Sequence, residues 1–219
     1  MIVEYPLLGS KQLKLFRDQW FPLVEQGVLL NQERRQVLDA LAGTIQEMNE
    51  ATPFGGVELV FICTHNSRRS QLAQVWAQCI ADDLGLDFLR CHSAGTERTF
   101  FHPNAMAALS NRGFVIKSRE DEGIEVHDMA WSDSDASIPC FSKTLEDPSL
   151  PQHGFIAVTT CNDADQACPV IIGAARRLAL PYADPKVSDG TPDALATYAR
   201  RSDEIALEML YVLGQVSRD

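Results

Sequence analysis

Val57-Glu-Leu-Val-Phe-Ile-Cys63-Thr-His-Asn-Ser-Arg-Arg69-Ser70-Gln71 is the stretch on which the fold turns. Val57 to Ile62 is an apolar, β-branched and aromatic run broken only by Glu58, as a parallel strand buried on both faces requires. That strand is expected to end at Cys63. Beyond Gln71 the apolar residues Leu72, Val75, Trp76, Cys79 and Ile80 recur at helical spacing. The chain therefore passes from a strand through a short polar loop into a helix, and Cys63 and Arg69 bracket the loop.

A loop leading into a helix N-terminus presents unpaired N–H groups and the positive end of the helix dipole, which together attract an anion. The same field favours thiolate over thiol at Cys63. Arg69 adds a planar fork of donors suited to two oxygens of a tetrahedral oxyanion, and the Ser70 hydroxyl can donate to the cysteine sulfur. Thr64, His65, Asn66, Ser67, Arg68, Arg69 and Ser70 then form the oxyanion cradle around a nucleophile. The competing interpretation is an inert thiol ending a core strand, with Arg69 solvated. A bare Cys-x5-Arg pattern is weak, and its strand–loop–helix setting is what favours catalysis.

Cys63-Thr-His-Asn-Ser-Arg-Arg69-Ser70-Gln71 resembles the phosphate-binding loop of the low-molecular-weight protein-tyrosine phosphatases and of the thioredoxin-coupled arsenate reductases built on the same fold. Two positions depart from that pattern. His65 stands where a glycine is usual, and Arg68 where many members have a second cysteine. A side chain at 65 is expected to narrow the loop or to oppose a positive φ there.

With 219 residues, 45% of them hydrophobic, the chain suits one medium-sized domain with additions. Its formal charge of −11 argues against a nucleic-acid partner. No apolar stretch is long enough to span a bilayer, and Met1 to Ser10 lack the basic-then-apolar pattern of a secretory signal. The six cysteines, at 63, 79, 91, 140, 161 and 168, are therefore expected as reduced thiols in a cytoplasm.

Residues 1–56 are expected to form a helical N-terminal extension packed on the domain, with a dimer contact as the alternative. Leu13, Phe16, Trp20 and Phe21 are roughly helix-spaced, and Val37, Leu38, Leu41, Ile45 and Met48 make a second stripe opened by an Asn31 cap. The catalytic domain is expected over residues 57–219, and the resemblance covers about residues 57–215, interrupted by an insertion. Within that domain, Asp87 to Ser93 is expected as a second strand, followed by Ser93-Ala-Gly-Thr96, a tetrapeptide also found in the family. Phe100 and Phe101 sit where phosphatases often place an aromatic wall, although core packing explains them equally well. Pro103 opens a short helix stopped by Gly113. An insertion at about 114–140 contains two strand-like runs around an acidic turn at Gly123, expected as a β-hairpin, with His127 as a surface residue.

Gly154 to Thr160 forms the next strong strand signal, and Cys161-Asn-Asp-Ala-Asp-Gln-Ala-Cys168-Pro169 follows it. Ligand chemistry gathers at the carboxyl ends of parallel strands, so Cys161 is expected on the same edge as Cys63. The six-residue gap between Cys161 and Cys168 resembles the redox pair of the arsenate reductases. Zinc fits less well, since the gap exceeds a zinc knuckle's and no second pair completes the ligands, so no metal or other cofactor is expected. Two incidental thiols remain the structural alternative. Leu178 to Tyr182 is expected as the last strand, leading into Asp184-Pro185, where the family keeps its general acid. Thr191 and Pro192 are expected to open a long closing helix.

The expected fold is a three-layer α/β domain with a parallel sheet of about four strands and helices on both faces. The resemblance implies an arsenate reductase in which Cys63 attacks arsenate, Asp184 protonates the departing oxygen, and Cys161 and Cys168 relay electrons from a thioredoxin-like reductant. A phosphatase for phosphotyrosine or another phosphomonoester, using Cys63, Arg69 and Asp184, is the second reading. An oxyanion-binding protein impaired by His65 and Arg68 is the third.

Overall fold

The computed structural model describes residues 30–52, 55–131, 137–167 and 170–216. The expected helix around Leu13 to Phe21, and Cys168 with Pro169, lie outside these residues.

Strand β1, Val57–Cys63, is central in a four-stranded parallel sheet. It lies between β2, Leu89–Gly95, and β6, Phe155–Thr159, with β7, Ala174–Ala179, at the edge beyond β6. Cys63 lies opposite Gly95 on one side, and Ile62 opposite Thr159 on the other. Alternate side chains serve opposite faces, as strand geometry demands. Val57, Leu59 and Phe61 enter one apolar cluster, whereas Val60 and Ile62 enter another together with Cys63 and Cys161. Glu58, the polar interruption, is satisfied by His92 Nε2 of β2 at 2.6 Å.

The first cluster is covered by helices. Helix α1, Gln32–Ala51, buries Leu38, Leu41, Ala42 and Ile45, and Asn31 caps it by accepting the Arg34 N–H at 2.8 Å. Helix α2, Arg69–Leu84, is buried along most of its length and ends at Gly85 in the left-handed conformation, φ 70°. Helix α3 spans Pro103–Ser110, the short α4 spans Asn162–Ala167 against the second cluster, and α5 spans Ala194–Gly214. The Trp76 indole donates to Ser202 Oγ at 2.9 Å, fixing α2 against α5. Arg34 makes a two-pronged ion pair with the buried Glu208, at 2.6 and 2.7 Å, fixing α1 against α5. Among the described residues no helix is long and apolar enough to cross a membrane.

The insertion forms a separate antiparallel sheet, β3 Val115–Asp121, β4 Ile124–Ala130 and β5 Ile138–Cys140. Glu122 and Gly123 both have positive φ, 50° and 78°, the backbone of a tight two-residue hairpin turn. The third strand was not expected, because three residues give too short an alternation to read. His127 is not a surface residue: it is 2% exposed, with Nδ1 2.8 Å from Ser118 Oγ and its ring at the edge of Phe101.

Several boundaries differ from expectation: the second strand is Leu89–Gly95 instead of Asp87 to Ser93, and two further shifts have a visible cause. The last strand begins at Ala174 instead of Leu178; as an edge strand it exposes Arg176 and Arg177, which hid it from an apolar search. Leu180 and Tyr182 still follow the sheet, donating their N–H groups to Thr159 and Thr160. The closing helix starts at Ala194, past Thr191 and Pro192, because the Thr191 hydroxyl turns back to the Ser188 carbonyl.

Candidate active site

Cys63 ends β1 and is 3% exposed. Its sulfur lies 3.0 Å from Ser70 Oγ in the first turn of α2. The neighbours of that contact orient Asn66. The Lys143 backbone N–H, which can only donate, is 2.9 Å from Asn66 Oδ1. This fixes the Asn66 amide so that Nδ2 donates to Ser70 Oγ at 2.9 Å. Ser70 Oγ thus accepts from Asn66, which leaves its one hydroxyl hydrogen free to donate to a Cys63 thiolate. Asn66 is fully buried and has φ 43°, so the positive φ of the loop falls one residue after His65. Asparagine tolerates this conformation better than most residues.

The loop carbonyls are engaged by surrounding groups. Thr64 O accepts from Glu97 N at 2.8 Å, His65 O from the hydroxyls of Thr99 and Ser142 at 3.0 Å, and Asn66 O from Gln71 Nε2 at 3.2 Å. Ser67 O accepts from His102 N at 2.9 Å. Because the peptides are trans, each such bond turns the next N–H away from that partner. With its carbonyls engaged outside, the loop at the start of α2 leaves its N–H groups to serve an anion beside the thiol. Gly95 is required here: a Cβ would lie 2.7 Å from Thr64 O and Asn66 N, which accounts for the glycine in Ser93-Ala-Gly-Thr96.

The two arginines diverge. Arg69 is 8% exposed and donates Nη1 to Tyr182 O at 3.0 Å and Nη2 to Asp184 Oδ2 at 2.6 Å. Asp184 also accepts the Lys186 N–H at 3.0 Å, capping the 3-10 turn Pro185–Ser188. Arg68 leaves the cradle expected for it: Nε donates to the Tyr198 hydroxyl at 2.5 Å and Nη2 to Asp189 Oδ2 at 2.8 Å. His65 turns outward too, with Nε2 3.4 Å from Glu97. Neither departure from the loop pattern therefore narrows the cradle.

Cys161 follows β6 and is 1% exposed. Its sulfur lies 3.6 Å from Thr64 Oγ1 and 3.4 Å from the Ala164 N–H. It thus reaches the residue next to Cys63. By contrast, burial pushes the Cys79 and Cys91 thiols well up and Cys140 up to about 12, marking all three as inert core residues. Phe101 is buried, whereas Phe100 is exposed and stacks on the His102 ring, 5.9 Å between centroids. Among the described residues no cluster of three or more histidine, cysteine or acidic side chains could hold a metal.

Sequence reasoning missed the supports of this site. Gln71 donates to both Asn66 and Phe141, Lys143 orients Asn66, and His102, Asp189 and Tyr198 gather around Arg68. All but Gln71 are contributed from distant parts of the chain, so no local spacing signals them.

Residues 58–134 match the family model described as low molecular weight phosphotyrosine protein phosphatase. The arsenate reductase of Bacillus subtilis is 30% identical over 149 residues, covering 67% of this chain and 88% of that protein. The arsenate reductase of Bacillus licheniformis is 29% identical over 148 residues, with the same coverage of both chains. In fold, the chain resembles a YwlE mutant from Bacillus subtilis with a TM-score of 0.52 and 18% identity, over 73% of this chain and 98% of that one. The low molecular weight protein tyrosine phosphatase from T. tengcongensis also gives 0.52, at 16% identity, over 74% of this chain and all of that one.

Proposed function

The chain belongs to the low-molecular-weight phosphotyrosine protein phosphatase family, and from that premise we propose that it is a thiol-dependent arsenate reductase. Cys63 attacks the arsenic of arsenate while the loop N–H groups and Arg69 hold its oxygens. An As–O bond breaks, and Asp184 gives its proton to the departing oxygen, which leaves as water. Cys161 then attacks the Cys63 sulfur; the S–As bond breaks, its electron pair stays with arsenic, and arsenite departs. Arsenic has gained two electrons, and Cys63 and Cys161 have become a disulfide. Cys168 exchanges with Cys161, freeing Cys63, and a thioredoxin-like dithiol protein reduces the Cys161–Cys168 pair.

The observation that carries this reading is the approach of Cys161 to Thr64, at 3.6 Å, with Cys63 and Cys161 in one apolar cluster. Hydrolysis needs a single thiol and gives Cys161 no task. The complete loop nevertheless suits a phosphomonoester, so phosphotyrosine hydrolysis is the second reading. A paired assay on one preparation separates the two: arsenate reduction coupled to thioredoxin, and release of phosphate from phosphotyrosine. Reduction that is lost in Cys161→Ser supports the reductase. Phosphate release with no arsenite formed would replace it with the phosphatase.

A further inference from the structure

Arg68 and Arg69 are consecutive, yet they grip opposite ends of the same short segment. Arg69 holds Asp184, and Arg68 holds Asp189. Between these ends, the 3-10 turn is tied by the Lys186 N–H to Asp184, the Ser188 hydroxyl to Pro185 O, and the Asp189 N–H to Lys186 O. A segment so braced moves as one piece, and displacement of Asp189 is carried to Asp184.

The two grips differ in construction. At Asp184 there is one ion pair, and its carboxylate is 34% exposed. At Asp189 there is a closed triangle. The Tyr198 hydroxyl accepts from Arg68 Nε at 2.5 Å and donates to Asp189 Oδ1 at 2.7 Å, while Arg68 Nη2 reaches Asp189 Oδ2 at 2.8 Å. Tyr198 is fully buried on α5 and stacks on the His102 ring, 5.2 Å between centroids and 16° between planes. His102 Nε2 stands 3.5 Å from Asp189 Oδ2, and its backbone N–H is bonded to Ser67 of the loop. Burial alone would raise the Asp189 carboxyl, but the bonds from Tyr198 and Arg68 hold it below the usual carboxylate range.

We propose that Tyr198 is a positioning residue: with Arg68 and Asp189 it forms the fixed anchor that keeps Asp184 over the oxyanion loop when substrate takes Arg69. An oxyanion entering the loop competes with Asp184 for the Arg69 guanidinium. Once that pair yields, the Asp189 end is what keeps the acid within reach of the departing oxygen. The inference rests on the assignment of Asp184 as proton donor and adds residues to which no role has been given.

The test is Tyr198→Phe in the full chain, which keeps the ring on His102 and removes only the hydroxyl. Asp189→Asn is the second variant, should the first fail to fold. Two aryl phosphates serve as probes. Phenyl phosphate has a poor leaving group that needs a proton, whereas 2,4-dinitrophenyl phosphate leaves without one. The expected result is a fall of about tenfold in kcat for phenyl phosphate, with KM unchanged and dinitrophenyl phosphate within about twofold of wild type. Equal losses on both probes would mean a general structural defect and overturn the proposal. Hydrogen exchange across residues 184–190 reads the anchor without any turnover. About tenfold faster exchange in the variant is expected, and unchanged exchange overturns the proposal. Wild-type protein that turns over neither the two phosphates nor arsenate would count against the catalytic reading of Cys63 and Asp184, while the exchange measurement would still decide the anchor.

Discussion

Replacing Arg69 with lysine removes geometry while keeping charge. The guanidinium makes two directed bonds at once, Nη1 to Tyr182 O at 3.0 Å and Nη2 to Asp184 at 2.6 Å. An ammonium on a narrower stem is a point charge that cannot reproduce a planar fork. In the resting protein, the lost Tyr182 bond costs about 1 kcal/mol. For a chain of this size that lowers the melting temperature by roughly 2–4 °C. In turnover, the lost member of a bidentate contact to the oxyanion is a charge-assisted bond worth about 1.5–3 kcal/mol. At about 1.4 kcal/mol per decade, kcat/KM falls roughly 10- to 150-fold. The assay is thioredoxin-coupled arsenate reduction at several arsenate concentrations, beside a thermal melt of the same protein. Activity within about twofold of wild type would refute the role of the fork. A melting drop well beyond 4 °C would refute the division between a small structural and a large catalytic effect.

Arg34→Met leaves the buried carboxylate of Glu208 without its ion-pair partner, and the expected loss is about 3–5 kcal/mol, read by chemical denaturation; a change below about 1 kcal/mol would mean that α1 is not held by this pair. His102 accepts the Asn104 N–H on Nδ1, and burial together with the Arg68 charge holds its pKa below the ordinary 6.5. Neutral His102 is therefore the folded form, so its contribution is complete above 6.5 and is lost as the pH falls through the lower folded value. Melting curves from pH 7.5 to 5 should show wild type losing more stability than His102→Asn, which caps without titrating; parallel losses would exclude His102 as the source. Iodoacetamide should modify Cys63 before Cys79, Cys91 and Cys140, whose thiols burial pushes up, and inorganic phosphate should slow the reaction at Cys63 alone. Peptide mapping in which phosphate protects no cysteine would contradict an oxyanion site at the loop.

The central architecture was legible because its signals are local. The apolar run to Cys63, the helical stripe beyond Gln71 and the glycine stop at Gly85 each lie within one element, and each appears as expected. The pairing of Ser70 with Cys63 was also legible, since both bracket one loop. What sequence did not reveal is carried by contacts across the fold. Asn66 was a loop residue with no distinguishing mark, yet Lys143, 77 positions away, turns its amide so that it donates to Ser70. Arg68 belongs to the loop, and adjacency to Arg69 implies that one of the two side chains points away; that its partner would be Tyr198, 130 positions away, was not legible. His127 was misjudged because a polar residue in a hairpin ordinarily faces water, whereas Phe101 and Ser118 enclose it here. The edge strand at Ala174 was displaced because its arginines mask its alternation.

The decisive question is where the electrons come from when arsenate is reduced. The direct measurement is a single turnover: fully reduced protein is exposed to one equivalent of arsenate without external reductant, quenched by alkylation in acid and mapped by mass spectrometry. A Cys161–Cys168 disulfide is predicted in the wild type, and Cys63 joined to Cys161 in Cys168→Ser, with arsenite formed in both. All six cysteines recovered reduced, in protein that still hydrolyses an aryl phosphate, would contradict the reductase and leave the phosphatase in its place.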